Sequence, residues 1–215
     1  MLNVTVVILG DGLASTAVGP LEVFFAAGVL FQTLQGETPT PLFEVTTASI
    51  DGKGVSAAYG LGLTPQKSIE DIERTDIIIV PTSGIEVDLK LIENSKLLPW
   101  LRKHHALGAY IAGTCMGSVY LAEAGLLDGR EATTHWAATQ DFERRYPKVK
   151  WRSELLITED SRLLCSGGVT SAIDVSLYLV EKLISHDIAV QTAKALLHPM
   201  PRINQSGYAV LPLSP

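Results

Sequence analysis

The chain has 215 residues, of which 47% are hydrophobic and 19% charged, and this composition excludes an intrinsically disordered protein. A chain of this size can bury a sizeable core as one domain without disulfides or metal ions. The formal net charge is −6, with 17 Lys and Arg against 23 Asp and Glu, so the chain by itself is a poor binder of nucleic acid.

Strands and helices alternate along the chain, which predicts an α/β fold with a mostly parallel central sheet sandwiched by helices. Apolar, β-branched runs predict strands at 4–9, 43–48, 77–80 and 109–112, and the run at 77–80 is apolar on both faces, as in a central parallel strand. The predicted helices are 19–34, 87–104, 116–124, 136–145, 170–184 and 186–197, and a strand pair is predicted at 155–158 and 162–165. Pro20 is expected in the first turn of its helix, and Pro99 at a weak point of the helix 87–104.

The two ends of the chain and its cysteines carry the remaining compositional signals. The start lacks the basic stretch of a secretory signal and no apolar run is long enough to span a bilayer, so we expect a cytoplasmic location and no membrane partner. Residues 198–215 are rich in proline and predict a linker or tail. Cys115 and Cys165 form no C-x-x-C pair, and we expect no metal and no cofactor.

The most distinctive local pattern surrounds Cys115. Gly113-Thr114-Cys115-Met116-Gly117 follows a buried strand and opens a helix, which is the arrangement of a nucleophile elbow with Cys in place of Ser. Such a turn strains the central residue and leaves no room for bulky neighbours. We expect the following helix to lower the pKa of the thiol and its backbone N–H groups to hold an oxyanion. The alternative is a buried, inert cysteine, which is also the interpretation for Cys165.

Several segments together resemble the ThiJ/PfpI superfamily, whose fold is flavodoxin-like and related to class I glutamine amidotransferases. The segments are 112–118, the block Ala124-Gly125-Leu126-Leu127-Asp128-Gly129-Arg130 with Thr133-Thr134-His135-Trp136, Gly19-Pro20-Leu21-Glu22 near the start, and 166–174. The resemblance covers almost all of the chain up to about residue 197. It implies two branches: the ligand-sensing half of AraC-type transcriptional regulators (the amidase-like group), and enzymes similar to isocyanide hydratase.

Two departures from family patterns bear on catalysis. Met116 stands where proteases and chaperones of the superfamily often carry His, and Thr16 stands where the hydratase-like enzymes carry an acid. The tail Pro201-Arg202-Ile203-Asn204-Gln205 is similar to the Arg…Gln linker of the regulators, although no helix-turn-helix region lies within these 215 residues.

Other polar residues have both a functional and a structural interpretation. Glu22 is either a carboxylate facing the thiol or a first-turn helix acid, and we favour the latter. His135 either activates the thiol, lines the pocket or caps the next helix. The turn 166–168 either binds an anion or is simply tight, and Asp174 is either a buried structural partner or a pocket carboxylate. The pair His104-His105 is interpreted as a solvated helix end. The tryptophans Trp100, Trp136 and Trp151 are interpreted as core or interface residues.

The prediction from the whole sequence is a ligand-sensing domain of an AraC-type regulator over 1–197, with 198–215 leading toward a DNA-binding region. The resemblance further implies a homodimer that contacts DNA only through a helix-turn-helix region outside this chain. A small, nitrogen-containing ligand is expected at a site formed by Cys115, Met116, Thr16, Ser83, Gly84 and His135. The alternative is a cysteine-dependent hydratase or hydrolase with Cys115 as its catalytic residue.

Overall fold

The computed structural model describes residues 1–200 and Gln205. In this part of the chain the strands are β1 (Leu2–Val7), β2 (Phe43–Ser49), β3 (Val55–Ser56), β4 (Gly62–Leu63), β5 (Lys67–Ser68), β6 (Ile77–Val80), β7 (Tyr110–Thr114), β8 (Glu131–Ala132), β9 (Lys150–Trp151), β10 (Ile157–Asp160) and β11 (Leu163–Ser166). The α-helices are α1 (Ser15–Ala26), α2 (Leu30–Leu34), α3 (Val87–Glu93), α4 (Leu97–Ala106), α5 (Ser118–Glu123), α6 (Thr139–Arg145), α7 (Ser171–Leu183) and α8 (His186–Ala195). Short 3₁₀ turns lie at Ala58–Gly60, Ile69–Asp71, Cys115–Gly117 and Trp136–Ala138.

A seven-stranded sheet runs through the centre of the molecule in the order β10-β11-β7-β6-β1-β2-β5. Neighbouring strands are parallel except β10, which is antiparallel to β11. Two small two-stranded sheets, β3-β4 and β8-β9, lie outside it. The predicted fold class, a mostly parallel sheet sandwiched by helices, is therefore confirmed.

Strand β6 shows why the sheet is covered on both faces. Its four residues are fully buried. Ile77 and Ile79 pack into one apolar cluster with side chains of α1, α7 and α8. Ile78 and Val80 point the other way, into a second cluster with side chains of α4, α5 and α6. Successive residues of a strand alternate between faces, so a strand between two helical layers must be apolar at every position.

The first predicted helix was placed wrongly. The sequence predicted one helix over 19–34, whereas α1 begins at Ser15, and the chain turns at Gly28, with φ of 76°, before α2. Pro20 is consequently inside α1 rather than in its first turn, and it cannot donate the usual hydrogen bond to the carbonyl four residues earlier, that of Thr16. The loss is offset by tertiary contacts to Thr16, described below.

The predicted helix over 87–104 is two helices, and the break is not at Pro99. Helix α3 ends at Glu93, and the side-chain amide of the next residue, Asn94, donates a 2.9 Å hydrogen bond to the carbonyl of Lys90. Pro99 lies in the first turn of α4, where its missing N–H costs nothing. None of the helices in residues 1–200 is long and apolar enough to cross a membrane. The predicted linker 198–215 lies outside the described residues apart from 198–200 and Gln205.

Candidate functional site

Cys115 lies in a tight turn between the end of β7 and the start of α5. Its φ is 55°, in the left-handed region that residues other than glycine rarely adopt. Gly113 and Gly117 leave the space for this turn. A Cβ on Gly113 would stand 2.8 Å from the backbone of Ser118, and a Cβ on Gly117 would overlap the carbonyl oxygen of Val80. The glycines are thus required by close backbone approach, as the sequence predicted.

Burial governs the chemistry of the thiol. Cys115 is 4% exposed, and burial raises its pKa to about 11, against a smaller opposing effect of the backbone N–H of Met116. The expectation that the following helix lowers this pKa was wrong. Helix α5 has only six residues and begins after a 3₁₀ turn, and the largest influence on the pKa of the thiol is the loss of solvation. At neutral pH the thiol is protonated.

Thr16, at the position where an acid would manage a proton, is fully buried and engaged in structural hydrogen bonds. Its hydroxyl donates to the carbonyl of Leu13 at 2.7 Å and accepts from the backbone N–H of Thr82 at 3.3 Å. Its carbonyl, which Pro20 leaves free, accepts a hydrogen bond from the hydroxyl of Thr114 at 3.2 Å. Thr16 therefore joins α1 to the carboxyl ends of β6 and β7.

Ser83 and Gly84, which follow β6, also make structural contacts. The hydroxyls of Ser83 and Tyr120 are 2.7 Å apart, and Asn94 donates to the Tyr120 oxygen at 3.0 Å. A Cβ on Gly84 would stand 3.0 Å from Cβ of Asp11 and 3.2 Å from Cε of Lys90.

Lys90 is buried next to Gly84 and forms ion pairs with two carboxylates. Hydrogen bonds to Asp11 first, and to Glu93 second, raise its pKa. The loop after β6 is therefore next to a polar network in which Lys90 is buried and its two carboxylate partners are partly exposed.

His135 is the predicted site residue that lines a described cavity. Its Nδ1 accepts a hydrogen bond from the N–H of Ala137 at 3.1 Å and so caps the 3₁₀ turn Trp136–Ala138. Burial lowers the pKa of this imidazole. The cavity has a volume of about 220 Å³ and is lined by His135, Trp136, Leu156, Gly168, Thr170, Ser171 and Gln205.

One hydrogen bond connects this cavity to the Cys115 turn. The hydroxyl of Thr134, the residue before His135, donates to the carbonyl of Cys115 at 3.2 Å. The structure thus places Cys115 and His135 in neighbouring segments. Met116, which follows Cys115 in the turn, is half-buried.

The remaining candidates separate into surface, core and paired residues. Glu22 is exposed in the interior of α1, not in its first turn. Asp174 is buried and lies 3.2 Å from His198. Cys165 is buried, and burial raises its pKa to about 12.

The interpretation of His104 as a solvated residue was wrong. It is fully buried, with its ring 4.5 Å from that of Trp100, and burial lowers its pKa. Trp100 belongs to the core as predicted.

Sequence reasoning missed Trp136 and Gln205 as cavity residues. The signal for Gln205 was present, because the tail that contains it matches a linker pattern, but the pattern did not show that its side chain enters the domain.

The flavodoxin-like α/β architecture, with a positive-φ cysteine at the end of a central strand, defines the class of protein. The profile of the DJ-1/PfpI family, also called ThiJ/PfpI, matches residues 16–182. The chain belongs to this family.

The chain is similar in sequence to regulators and to an enzyme, and similar in fold to a solved regulator structure. The chain is 35% identical over 153 residues to the HTH-type transcriptional regulator CdhR of Pseudomonas aeruginosa, covering 71% of this chain and 44% of CdhR. It is 35% identical over 135 residues to isonitrile hydratase of Pseudomonas putida, covering 63% of this chain and 57% of the hydratase. The crystal structure of an AraC family transcriptional regulator from Pseudomonas putida has a TM-score of 0.76 at 21% identity, covering 91% of this chain and all of that chain (100%).

The relatives include transcriptional regulators of the HTH type, and the chain spans about half the length of the curated relatives it matches. The solved structure supports the fold alone.

Proposed function

We propose that this chain is the ligand-sensing domain of an AraC-type transcriptional regulator. In this proposal residues 1–197 form the sensor and 198–215 lead to a helix-turn-helix region that makes the DNA contacts. The protein acts as a cytoplasmic homodimer. The similarity to HTH-type regulators such as CdhR supports this, as does a net charge that suits a domain without DNA contacts of its own.

The proposed ligand is a small, nitrogen-containing metabolite bound near the turn of Cys115. The site comprises Cys115, Met116, Thr16, Ser83, Gly84 and His135, around the carboxyl ends of β6 and β7. Open α/β sheets bind ligands at this edge. Thr16 and Ser83 contribute by holding the backbone of the site, since their hydroxyls are already hydrogen-bonded.

The observation that favours a sensor over an enzyme is the protonation state of the Cys115 thiol. A nucleophilic cysteine reacts as its thiolate, whereas burial here keeps the thiol protonated. The neighbouring Thr16 offers a hydroxyl in place of a carboxylate, and a hydroxyl does not accept a proton at neutral pH.

The second candidate is a hydratase that uses Cys115, and it is favoured by the 35% identity to isonitrile hydratase. The positive φ of Cys115 and the two flanking glycines also suit a nucleophile elbow.

Turnover separates the two candidates. Purified wild type, Cys115→Ser and the matched variant Cys165→Ser are incubated with a small alkyl isocyanide, and formamide product is measured. We expect no turnover above the level of Cys115→Ser. Turnover that Cys115→Ser abolishes and Cys165→Ser retains establishes the hydratase instead.

Ligand binding tests the sensor directly. A thermal-shift screen of small amines, amides and amino-acid derivatives is run on wild type and on both cysteine variants. We expect at least one compound to raise the unfolding midpoint of wild type, less so for Cys115→Ser, and unchanged for Cys165→Ser. A compound that stabilises all three equally binds away from Cys115.

A further inference from the structure

The side chain of Gln205, from the segment after α8, is buried inside the domain. The residue is 2% exposed, although it lies ten positions after the end of that helix. Its backbone N–H donates to the carbonyl of Glu154 at 3.1 Å. Its side-chain Nε2 faces four oxygen atoms: the carbonyls of Thr134 and Ser153, each at 2.9 Å, and the Thr133 hydroxyl and Leu155 carbonyl, each at 3.3 Å. A carboxamide nitrogen has two N–H donors, and the two carbonyls at 2.9 Å are its nearest acceptors.

Gly167 leaves the space that the side chain of Gln205 occupies. A Cβ on Gly167 would stand 2.5 Å from Oε1 of Gln205, and its three nearest atoms all belong to that carboxamide. Gly167 does not have a positive φ, so its backbone conformation would accept another residue. Glycine at this position is therefore explained by the space that the Gln205 side chain occupies.

Gln205 also forms part of the wall of the 220 Å³ cavity, together with His135, Trp136, Leu156 and Ser171. Oε1 of Gln205 is buried and has no hydrogen-bond partner in the described part of the chain. The lining combines two aromatic rings, an aliphatic side chain, two hydroxyl-bearing residues and Gln205. Such a surface suits a small uncharged molecule with an apolar end and a polar, amide-like end.

We propose that Gln205 couples this cavity to the segment after α8: a small uncharged amide bound against His135 and Trp136 contacts the docked Gln205 and stabilises its docking. This inference rests on the proposed function and deepens it. It places the ligand at the His135 end of the proposed site, the part that lines the described cavity, and it names the ligand chemistry and the residue that transmits occupancy. Because binding linkage is reciprocal, docking of Gln205 strengthens ligand binding by the same factor.

A double-mutant cycle tests the docking itself. We expect Gln205→Ala and Gly167→Ala each to lower the unfolding midpoint by about 3 to 6 °C, the first by removing the carboxamide and the second by pushing it out. In the Gln205→Ala background, Gly167→Ala should cost almost nothing, because the colliding atoms are gone. Gly62→Ala, at a glycine with open space around it, serves as the matched control.

If the two decreases in unfolding midpoint are additive, the proposed docking of Gln205 against Gly167 is wrong. Gln205→Glu supplies a second measurement that preserves shape. Its carboxylate has no donors for the four oxygens, so it should destabilise at least as much as Gln205→Ala. A neutral effect of Gln205→Glu also overturns the proposal.

The coupling is tested with isobutyramide as the probe and isobutyrate as its charged isostere. Binding is followed by tryptophan fluorescence, with Trp136→Phe as the blank, and docking by hydrogen exchange at the backbone N–H of Gln205. At a probe concentration about ten times its Kd, exchange should slow about tenfold in wild type. It should not change in Gly167→Ala, and isobutyrate should have no effect.

Three results contradict the coupling. Faster exchange means that the occupant displaces Gln205, unchanged exchange with bound probe means that the two are independent, and absence of binding up to the solubility limit excludes the amide class. These outcomes are distinct from failure of the proposed function. Isocyanide turnover by wild type would contradict the sensor function without affecting the result of the double-mutant cycle. Additive losses in that cycle would contradict the docking of Gln205 without affecting the sensor function.

Discussion

The hydroxyl of Thr114 donates a 3.2 Å hydrogen bond to the carbonyl oxygen of Thr16, 98 residues away in the chain. This carbonyl is available because Pro20 stands four residues later in α1 and has no N–H to offer. Thr114 directly precedes Cys115. A proline in the first helix is thus connected, through one backbone carbonyl, to the turn that holds the thiol.

Replacing Thr114 with Val tests this connection. The change leaves the buried Thr16 carbonyl without its donor and should lower the free energy of unfolding by about 1 to 2 kcal/mol, measured by urea denaturation. In a Pro20→Ala background the helix supplies its own N–H to Thr16, so Thr114→Val should cost less there. An equal cost in both backgrounds would show that the Thr16 carbonyl is not what Thr114 satisfies.

The buried thiol should alkylate slowly. With a pKa of about 11, the thiolate fraction of Cys115 at pH 7 is roughly 300-fold below that of a free cysteine with a pKa of about 8.5. Iodoacetamide labelling as a function of pH, with Cys115→Ser as the blank, measures this directly. A labelling midpoint below pH 8.5 would contradict the effect of burial on the pKa and would favour the hydratase function.

The same shift predicts a stability change at high pH. The pKa of Cys115 is higher in the folded protein than in the unfolded chain, so the unfolded state loses its proton first as pH rises. Stability should therefore decline from about pH 9 to about pH 11 more in wild type than in Cys115→Ser, by about 2 to 3 kcal/mol in total. Urea denaturation of both proteins at several pH values gives the difference, and parallel curves would rule out this linkage.

Ser83 should behave as a structural residue even in the absence of ligand. Ser83→Ala removes the 2.7 Å partner of the buried Tyr120 hydroxyl and should cost about 1 kcal/mol in the free energy of unfolding. In a Tyr120→Phe background the cost should nearly disappear, because no hydroxyl is left to satisfy. A neutral effect of Ser83→Ala in wild type would contradict this structural role.

His104 should contribute to acid sensitivity. Burial first, and the charge of Lys103 second, lower its pKa, so the unfolded state takes up a proton before the folded state does. Stability associated with His104 is present above about pH 6.5 and is lost as pH falls. His104→Gln should reduce the stability difference between pH 7 and pH 5, whereas Lys103→Gln should retain most of it. An unchanged difference in His104→Gln would place the acid sensitivity elsewhere.

Local sequence patterns were sufficient to predict the architecture and the position of the turn. Four consecutive apolar, β-branched residues at Ile77–Val80 predict a strand covered on both faces, because alternation sends them to opposite sides. Gly113 and Gly117 around Cys115 predict a close-packed turn for a similarly local reason, since only a residue without Cβ fits against neighbouring backbone. Such features depend on residues a few positions apart, so one sequence determines them.

Only the tertiary structure decided the chemical state of the site. The pKa of Cys115 depends on how much protein covers the thiol, and burial outweighed the opposing hydrogen bond from the backbone N–H of Met116. The role of Thr16 depends on a partner 98 residues away, and that of Gln205 on partners 52 and 71 residues away. Hydrogen bonds and burial of this kind arise from the packing of distant segments. The residues near each position in the sequence therefore do not show which segment will pack against it.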